Sequence, residues 1–267
     1  MSETKIGNNV TIAREGAIAT VTIDRGDHRN ALSRELMLEL TEAAKNFSGD
    51  LETQAVILTS NGAFTAGADL KDPAMSRRAA AGLMERRQML KVGPEMCEAW
   101  ERVEQVTIAA IEQYCIGGGA VLAASCDFRI MGAGAYFRLP EIPLGMNMSW
   151  RSIPRLVSLI GPARTKRFVI FGEKIEAEDA LSWGLIDEIA SDGRTLAHAR
   201  DWAERVTRLA PNAVRMSKQA VNAVSGALHY ATSFMDLDQY ALATTSEDYR
   251  EAIKAFLEKR PPKFTGK

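Results

Sequence analysis

Two glycine-bearing segments are the parts of the sequence best suited to stabilising a negative charge. The first glycine segment, residues 64–71 (FTAGADLK), follows the apolar run 55–59, and the second, residues 116–122 (IGGGAVL), follows the run 105–111. Glycine lets a backbone approach a ligand closely, and a helix that begins there offers N–H groups without partners. Such groups suit a phosphate or a developing oxyanion. Either segment alone is a weak signal, because glycine after a strand usually marks only a turn.

A nucleotide-binding loop is the first alternative for the second glycine segment. The triplet 117–119 does not meet the G-x-G-x-x-G spacing, because Leu122 occupies the position of the third glycine. The triplet also lies deep in the chain, and the sequence contains no Walker loop. Binding of nucleotide phosphates by loops of those kinds is therefore a minor alternative.

Composition and charge argue against several classes of protein. The three cysteines and three histidines lack the spacing of metal ligands, so we expect no metal site. The net charge of −1 gives no sign of a nucleic-acid or membrane-surface binder. The polar N-terminus has no signal-peptide core, and the longest apolar stretch, 106–124, is interrupted by Glu112, Gln113 and three glycines. We expect a cytoplasmic protein that binds neither nucleic acid nor a membrane.

The two glycine segments lie in a half of the chain where strand-like and helix-like patterns alternate. Strands are predicted over 18–23, 55–59, 105–111 and 128–131. Ser33 can cap a helix whose apolar stripe is Leu36, Leu40, Ala44 and Phe47. This alternation predicts an α/β fold. The charged stretch 72–100 is expected to be helical, with methionines that fill a core or groove and, less often, line an acyl pocket: Met75, Met84, Met89 and Met96.

Helical patterns alone follow from Leu196 onward. The last helix is predicted from a cap at Thr245 to the stop at Pro261 and Pro262. We therefore expect a core over 1–195 that holds the binding sites and a helical C-terminal region over 196–267. An apolar face of the last helix could be covered by a neighbouring chain or by the protein's own core. Its residues are Tyr249, Ile253, Phe256 and Leu257.

Together these segments resemble the crotonase (enoyl-CoA hydratase/isomerase) superfamily over nearly the whole chain. The matching motifs stand in the expected order at 24–32 (DRGDHRNAL), 66–70 (AGADL), 117–119 (GGG), 140–145 (PEIPLG), 161–164 (GPAR), 177–185 (AEDALSWGL) and 256–264 (FLEKRPPKF). The resemblance implies a spiral core of ββα turns and a C-terminal helical region that forms homotrimers or dimers of trimers. It implies an acyl-CoA thioester as substrate and no cofactor beyond the coenzyme A of that substrate.

The resemblance also implies roles for individual residues. The N–H groups of Ala68 and Gly118 would hold the thioester oxygen, which becomes negative when a proton is removed beside it. Coenzyme A would lie along Arg29, Ala66 and Lys71, where the two cations are candidates for its phosphates or else solvated surface charges. The remaining candidate substrate-binding residues are Asp69, Leu70, Gly117, Val121 and Trp150.

The sequence departs from the hydratases of this family at one catalytic position. Those enzymes use two glutamates, and here Glu141 stands at one position but Val121 at the other. Hydration suits two carboxylates, whereas one base can move a double bond by taking a proton from C2 and returning it to C4. Isomerisation of an enoyl-CoA with Glu141 as acid/base is therefore preferred, and hydration is the alternative. Apolar neighbours, including Val121 and Trp150, predict a raised pKa for Glu141.

Other departures leave further alternatives open. Met148 and Trp150 replace a run that is glycine-rich in hydratases. Glu112 could supply the missing carboxylate, although a solvated or locally bonded turn residue is the default. Thioester hydrolysis, decarboxylation, or a catalytically silent acyl-CoA-binding or RNA-binding relative also remains open, because fold does not fix function.

Overall fold

Strands of the computed structural model form two sheets. The structure describes residues 2–267, apart from the side chain of Ala79. In chain order the strands are β1 (Ser2–Ile6), β2 (Val10–Glu15), β3 (Ile18–Ile23), β4 (Ala55–Ser60), β5 (Val106–Ile111), β6 (Tyr114–Ile116), β7 (Phe128–Gly132), β8 (Tyr136–Arg138), β9 (Lys174–Glu176) and β10 (Glu188–Ala190). The large sheet has the order β1-β2-β3-β4-β5-β7-β10 and is parallel from β3 onward. The small sheet has the order β6-β8-β9.

Helices cover both faces of the large sheet and make up most of the C-terminal region. They are α1 (Arg34–Lys45), α2 (Pro73–Ala80), α3 (Leu83–Leu90), α4 (Val92–Glu101), α5 (Gly118–Ala124), α6 (Ser152–Phe171), α7 (Ala177–Trp183), α8 (Thr195–Thr207), α9 (Pro211–Ser225), α10 (His229–Ser233), α11 (Asp236–Ala243) and α12 (Glu247–Glu258). Helix α6 is broken at Gly161, whose φ of 74° is not helical. Among the described residues, no helix is both long and apolar enough to cross a membrane.

Successive turns of the chain repeat a ββα unit. Strand β5 of the large sheet leads into β6 of the small sheet and then α5, and β7 leads into β8 and then α6. A bridge between Thr65 and Cys115 adds the segment after β4 to the small sheet in the same way. This arrangement is the spiral of ββα turns that the resemblance implies, and it confirms the α/β fold and the helical C-terminal region that the residue patterns predict.

The central strands are apolar because they are covered on both faces. Every residue of β5 is buried, as are the first five residues of β4. On one face, α1 and α4 pack together around Trp100, whose indole Nε1 donates a 3.1 Å hydrogen bond to the carbonyl oxygen of Leu40. On the other face, Ala199 and Ala203 of α8 pack against the sheet. The division of the chain at residue 195 remains a prediction, although α8 itself packs on the core.

Local helix signals agree with the predicted elements, with one correction. Ser33 caps α1 by accepting a hydrogen bond from the N–H of Leu36, and the predicted stripe of this helix is buried. The stretch 72–100 is helical as predicted and consists of α2, α3 and most of α4. The predicted cap Thr245 is wrong, because the Oγ of Ser246 accepts the 3.0 Å bond from the N–H of Tyr249 and begins α12.

Replacement of the cap of α1 tests the local account of this helix. Ser33→Ala removes the acceptor for the N–H of Leu36, so the free energy of unfolding should fall by about 1 kcal/mol. Ser48→Ala is the matched control, an exposed serine beyond the other end of the same helix, and should change stability by less than about 0.5 kcal/mol. Urea unfolding measures both values. Equal stability of the two variants would contradict the capping role.

Candidate active site

Pairing of short segments brings the two glycine segments side by side. The N–H of Thr65 donates to the carbonyl oxygen of Tyr114 at 3.2 Å, and the N–H of Ile116 donates to that of Thr65 at 3.1 Å. The next strand of the small sheet, β8, is parallel to β6, and the N–H of Gly117 donates to the carbonyl oxygen of Arg138 at 2.8 Å. Residues that follow β6 and β8 therefore emerge at one edge of the sheet.

Glycine is required at two positions by a positive φ and by the close approach of a neighbouring atom. Gly67 has φ of 82° and Gly117 has φ of 55°, a region that side chains disfavour. A Cβ on Gly67 would lie 2.8 Å from the carbonyl oxygen of Ile116, and one on Gly117 would lie 2.9 Å from Oε1 of Glu141. The glycines therefore bring the two segments together and bring Glu141 against the second one.

Two backbone N–H groups at this junction are open. Leu32 bridges the residues on either side of Ala68, by donating to the carbonyl oxygen of Gly67 and accepting from the N–H of Asp69. Gly118 is the first residue of α5, where an N–H has no partner within the helix. Among the described residues, neither the N–H of Ala68 nor that of Gly118 has an acceptor. Both residues line one cavity of about 130 Å³.

Glu141 reaches this cavity from the turn that follows β8. The turn is closed by its own carbonyl oxygen, which accepts from the N–H of Met146 at 2.8 Å. The residue as a whole is only half-buried, but its Oε2 is buried and has no hydrogen-bond partner among the described residues. Burial raises the pKa of Glu141 from 4.5 to about 7, the direction predicted from its apolar neighbours.

The other carboxylates that line the cavity are engaged elsewhere. Asp69 forms a 2.8 Å ion pair with Arg25 and also accepts from the N–H of Lys71. Asp72 caps α2 by accepting from the N–H of Ala74 and also accepts from the N–H of Arg34. Glu141 is therefore the carboxylate of the described lining that remains available for proton transfer.

The remaining walls are largely apolar and come from distant parts of the chain. Val121 lies in the lining, as do two of the four methionines of the stretch 72–100, Met75 and Met89. Met96 is in the core and Met84 is exposed. Tyr240 of α11 and Tyr249 of α12 close the cavity from the C-terminal side. Burial raises the pKa of Tyr240, and the nearby Glu141 adds to the rise, so this phenol stays neutral.

The sequence did not identify Tyr240 as a site residue. No motif surrounds it, and its position depends on how α11 folds back over α3, with Arg87 paired to Asp238 at 2.7 Å. Tyr249 was identified only as part of an apolar face. Elsewhere on that face, Phe256 and Leu257 are exposed.

Several other predicted residues are near the cavity mouth or outside the cavity. Leu70 lines the cavity and is 45% exposed. Arg29 and Lys71 are exposed and are not among the lining residues, and the N–H of Ala66 is already bonded to the carbonyl oxygen of Arg29. Trp150 lies in the lining, and the loop around it is fixed by a bond from the N–H of Arg151 to Asp236.

Glu112 does not replace the missing carboxylate. Its carboxylate accepts hydrogen bonds from the N–H groups of Gly193 and Thr195 and, at 2.7 Å, from the hydroxyl of Thr195. It thereby caps the start of α8 and is not among the residues of the cavity. The default interpretation of Glu112 as a solvated or locally bonded turn residue is also wrong, because its partners lie more than 80 residues away in the chain.

The α/β spiral, with two open N–H groups near the carboxyl of Glu141, has the arrangement that the crotonase resemblance implies. The model of the enoyl-CoA hydratase/isomerase family matches residues 13–267. The chain belongs to this family, and the resemblance drawn from its motifs is confirmed.

Three relatives match this chain over nearly the full length of both proteins. A short-chain-enoyl-CoA hydratase of Clostridium acetobutylicum is 32% identical over 256 residues, which cover 95% of this chain and 96% of that protein. A probable enoyl-CoA hydratase of Mycobacterium bovis is 35% identical, covering 96% of this chain and 99% of that protein. The crystal structure of an enoyl-CoA hydratase/isomerase from Pseudoalteromonas atlantica superposes with a TM-score of 0.86 at 28% identity, covering 97% and 100% of the two chains.

The raised pKa of Glu141 predicts how stability depends on pH. Between pH 4.5 and about 7, the folded state keeps this carboxyl protonated while the unfolded chain ionises it, so the wild type should lose stability as pH rises through this window. Glu141→Gln cannot ionise. It should match the wild type near pH 4.5 and, because each pKa unit is worth about 1.4 kcal/mol, be more stable by up to about 3 kcal/mol at about pH 8. Urea unfolding of both proteins across this range measures the difference, and parallel pH dependences would contradict the raised pKa.

Proposed function

We propose that this member of the family isomerises an enoyl-CoA, moving a double bond from C3 to C2, with Glu141 as acid and base. The observation that carries the proposal is the single available carboxylate. Glu141 has a free oxygen and a pKa of about 7, whereas Val121 stands where a second carboxylate would act in a hydratase. A pKa near the working pH suits a group that must both take and return a proton.

The proposed reaction begins with the ionised carboxylate of Glu141 taking a proton from C2. The electron pair of the C2–H bond moves into the thioester. The N–H groups of Ala68 and Gly118 stabilise the negative charge on the thioester oxygen. Collapse of the enolate forms the C2–C3 double bond, and the electrons of the old double bond take the proton from Glu141 at C4. Each oxyanion donor of this kind is worth about 2.7–4 kcal/mol in the transition state.

Binding of the coenzyme A portion is also a proposal. Arg29 and Lys71 are exposed cations on loops next to the first glycine segment, and exposed cations can attract phosphates without a fixed partner. Asp69 would act indirectly, because its ion pair with Arg25 and its bond to the N–H of Lys71 fix the loop that carries Ala68. Gly117, Ala66 and Leu70 would shape the surface on which the thioester lies.

Hydration of a trans-2-enoyl-CoA is the second candidate. The names of the relatives from Clostridium acetobutylicum and Mycobacterium bovis favour it. A hydratase would need a second polar group to hold water beside Glu141, and Glu112 is committed to the start of α8. Tyr240, a neutral phenol that lines the same cavity and interacts electrostatically with Glu141, would be the candidate for that group.

Assembly into homotrimers or dimers of trimers is proposed from the resemblance. Helix α9 contributes no buried residue, and it and the turn after it present apolar side chains to solvent that a neighbouring chain could cover. These are Met216, Val221, Val224 and Leu228, each at least 65% exposed.

Turnover of two substrates distinguishes the two reactions. Wild type should convert a trans-3-enoyl-CoA to the trans-2 isomer and form little 3-hydroxyacyl-CoA from a trans-2-enoyl-CoA. Glu141→Gln should lose a factor of about 10² to 10⁴ in kcat. The wild-type kcat/KM should rise with pH through about 7, because the base must be ionised.

Glu112→Gln is the matched control in this experiment. It makes the same chemical change outside the cavity and should keep the wild-type turnover, because Glu112 bonds Gly193 and Thr195 instead. Chromatography and mass spectrometry identify the products. Efficient hydration by the wild type would overturn isomerisation in favour of the second candidate, and full activity of Glu141→Gln would overturn both mechanisms.

A further inference from the structure

One wall of the cavity is the indole of Trp150, which lies between α4 and α5. A Cβ built on Gly118 would be 2.2 Å from Cζ3 of the indole, and one built on Gly93 would be 2.1 Å from Cε2. Distances this short mean that the ring lies directly against the backbone of both helices. The two glycines therefore leave a slot that the indole fills from one side to the other.

The backbone that carries this indole is held in place. Trp150 and Arg151 both have positive φ, 62° and 54°, which is uncommon for residues other than glycine. The carbonyl oxygen of Trp150 accepts a 2.7 Å bond from Nη1 of Arg155, and this buried arginine is itself paired with Glu101 at 2.7 Å. Asp236 accepts from the N–H of Arg151 at 2.7 Å. These contacts fix the backbone from which the indole projects into its slot.

The cavity that the indole closes is small. Its volume is about 130 Å³, and an apolar protein cavity of about 150 Å³ holds a benzene molecule. Gly118, which contacts the ring, also carries one of the N–H groups proposed for the thioester oxygen. An acyl chain that starts at that oxygen therefore meets the indole within a few bonds.

We propose that Trp150 sets the acyl-chain length and restricts the substrate to chains of about four to six carbons. This inference rests on the proposed function, because it assumes that a thioester lies at Ala68 and Gly118. Other walls contain Met75, Met89 and Met146, whose flexible side chains can adapt to a ligand. The rigid ring, fixed between two backbones, is the part of the wall that imposes a sharp limit.

Binding of saturated acyl-CoAs tests this limit without requiring turnover. We would measure the affinity of acetyl- to decanoyl-CoA for wild type and Trp150→Ala by isothermal titration calorimetry. Affinity for the wild type should improve about fourfold for each added methylene and stop improving beyond about six carbons. For Trp150→Ala, the improvement should continue to about eight to ten carbons, because the slot between α4 and α5 is open.

Gly93→Ala should reduce the space for the acyl chain, whereas Trp150→Ala should enlarge it. Its methyl group would displace the indole and weaken hexanoyl-CoA binding by about fifteenfold, the equivalent of two methylenes. In the Trp150→Ala background, the same change should have little effect, because the ring it displaces is absent. Trp202→Ala is the matched control, since Trp202 packs on Phe128 outside the cavity and its loss should leave the length profile unchanged.

The results separate this inference from the proposed function. Failure of the wild type to bind any acyl-CoA would overturn the proposed function itself. An unchanged length limit in folded Trp150→Ala, or a wild-type affinity that keeps improving to decanoyl-CoA, would overturn only the role of Trp150. If circular dichroism shows that Trp150→Ala is unfolded, Trp150→Phe decides the question, because the smaller ring should raise the limit and an unchanged limit would contradict it.

Discussion

Close contact between the backbones of the two glycine segments is the constraint on which the site depends. Gly67 lies against the carbonyl oxygen of Ile116, and Gly117 lies against the carboxylate of Glu141, in both cases without room for a Cβ. The small sheet fixes this approach through the bonds at Thr65 and Gly117. The N–H groups of Ala68 and Gly118 and the buried carboxylate consequently face one small cavity. Preorganised donors of this kind need no rearrangement when charge develops beside them.

The carboxylates that line the cavity differ in whether they have partners. Asp69 is paired with Arg25 and Asp72 caps a helix, so the oxygens of both carboxylates are already engaged by other partners. Glu141 has no such partner at Oε2, and burial raises its pKa to about 7. The carboxyl of Glu141 therefore lowers stability at high pH and is also a suitable base for catalysis. Such a conflict between folding and function is common at functional sites. Val121 keeps the surroundings of Glu141 apolar.

The sequence predicts the parts of this site that local patterns encode. Glycines after strands, a serine before an amphipathic helix and an ordered set of family motifs give the fold, the two loops and Glu141. They do not give contacts made by chain segments far apart in sequence. Tyr240 reaches the cavity because α11 folds back over α3, and Glu112 is drawn away because α8 starts beside it. The fit of Trp150 between Gly93 and Gly118 likewise depends on the spacing of two helices, which no local pattern specifies.

Exchange of the C2 protons of butyryl-CoA with solvent deuterium tests the central claim most directly. This saturated thioester can be neither hydrated nor isomerised, so exchange reports only the removal of a proton by a base and the stabilisation of the enolate. Mass spectrometry should show deuterium incorporation with the wild type and a rate lower by about 10² or more with Glu141→Gln. Binding of butyryl-CoA without exchange would contradict the account and indicate a catalytically silent relative. Exchange at the wild-type rate in Glu141→Gln would show that another group is the base.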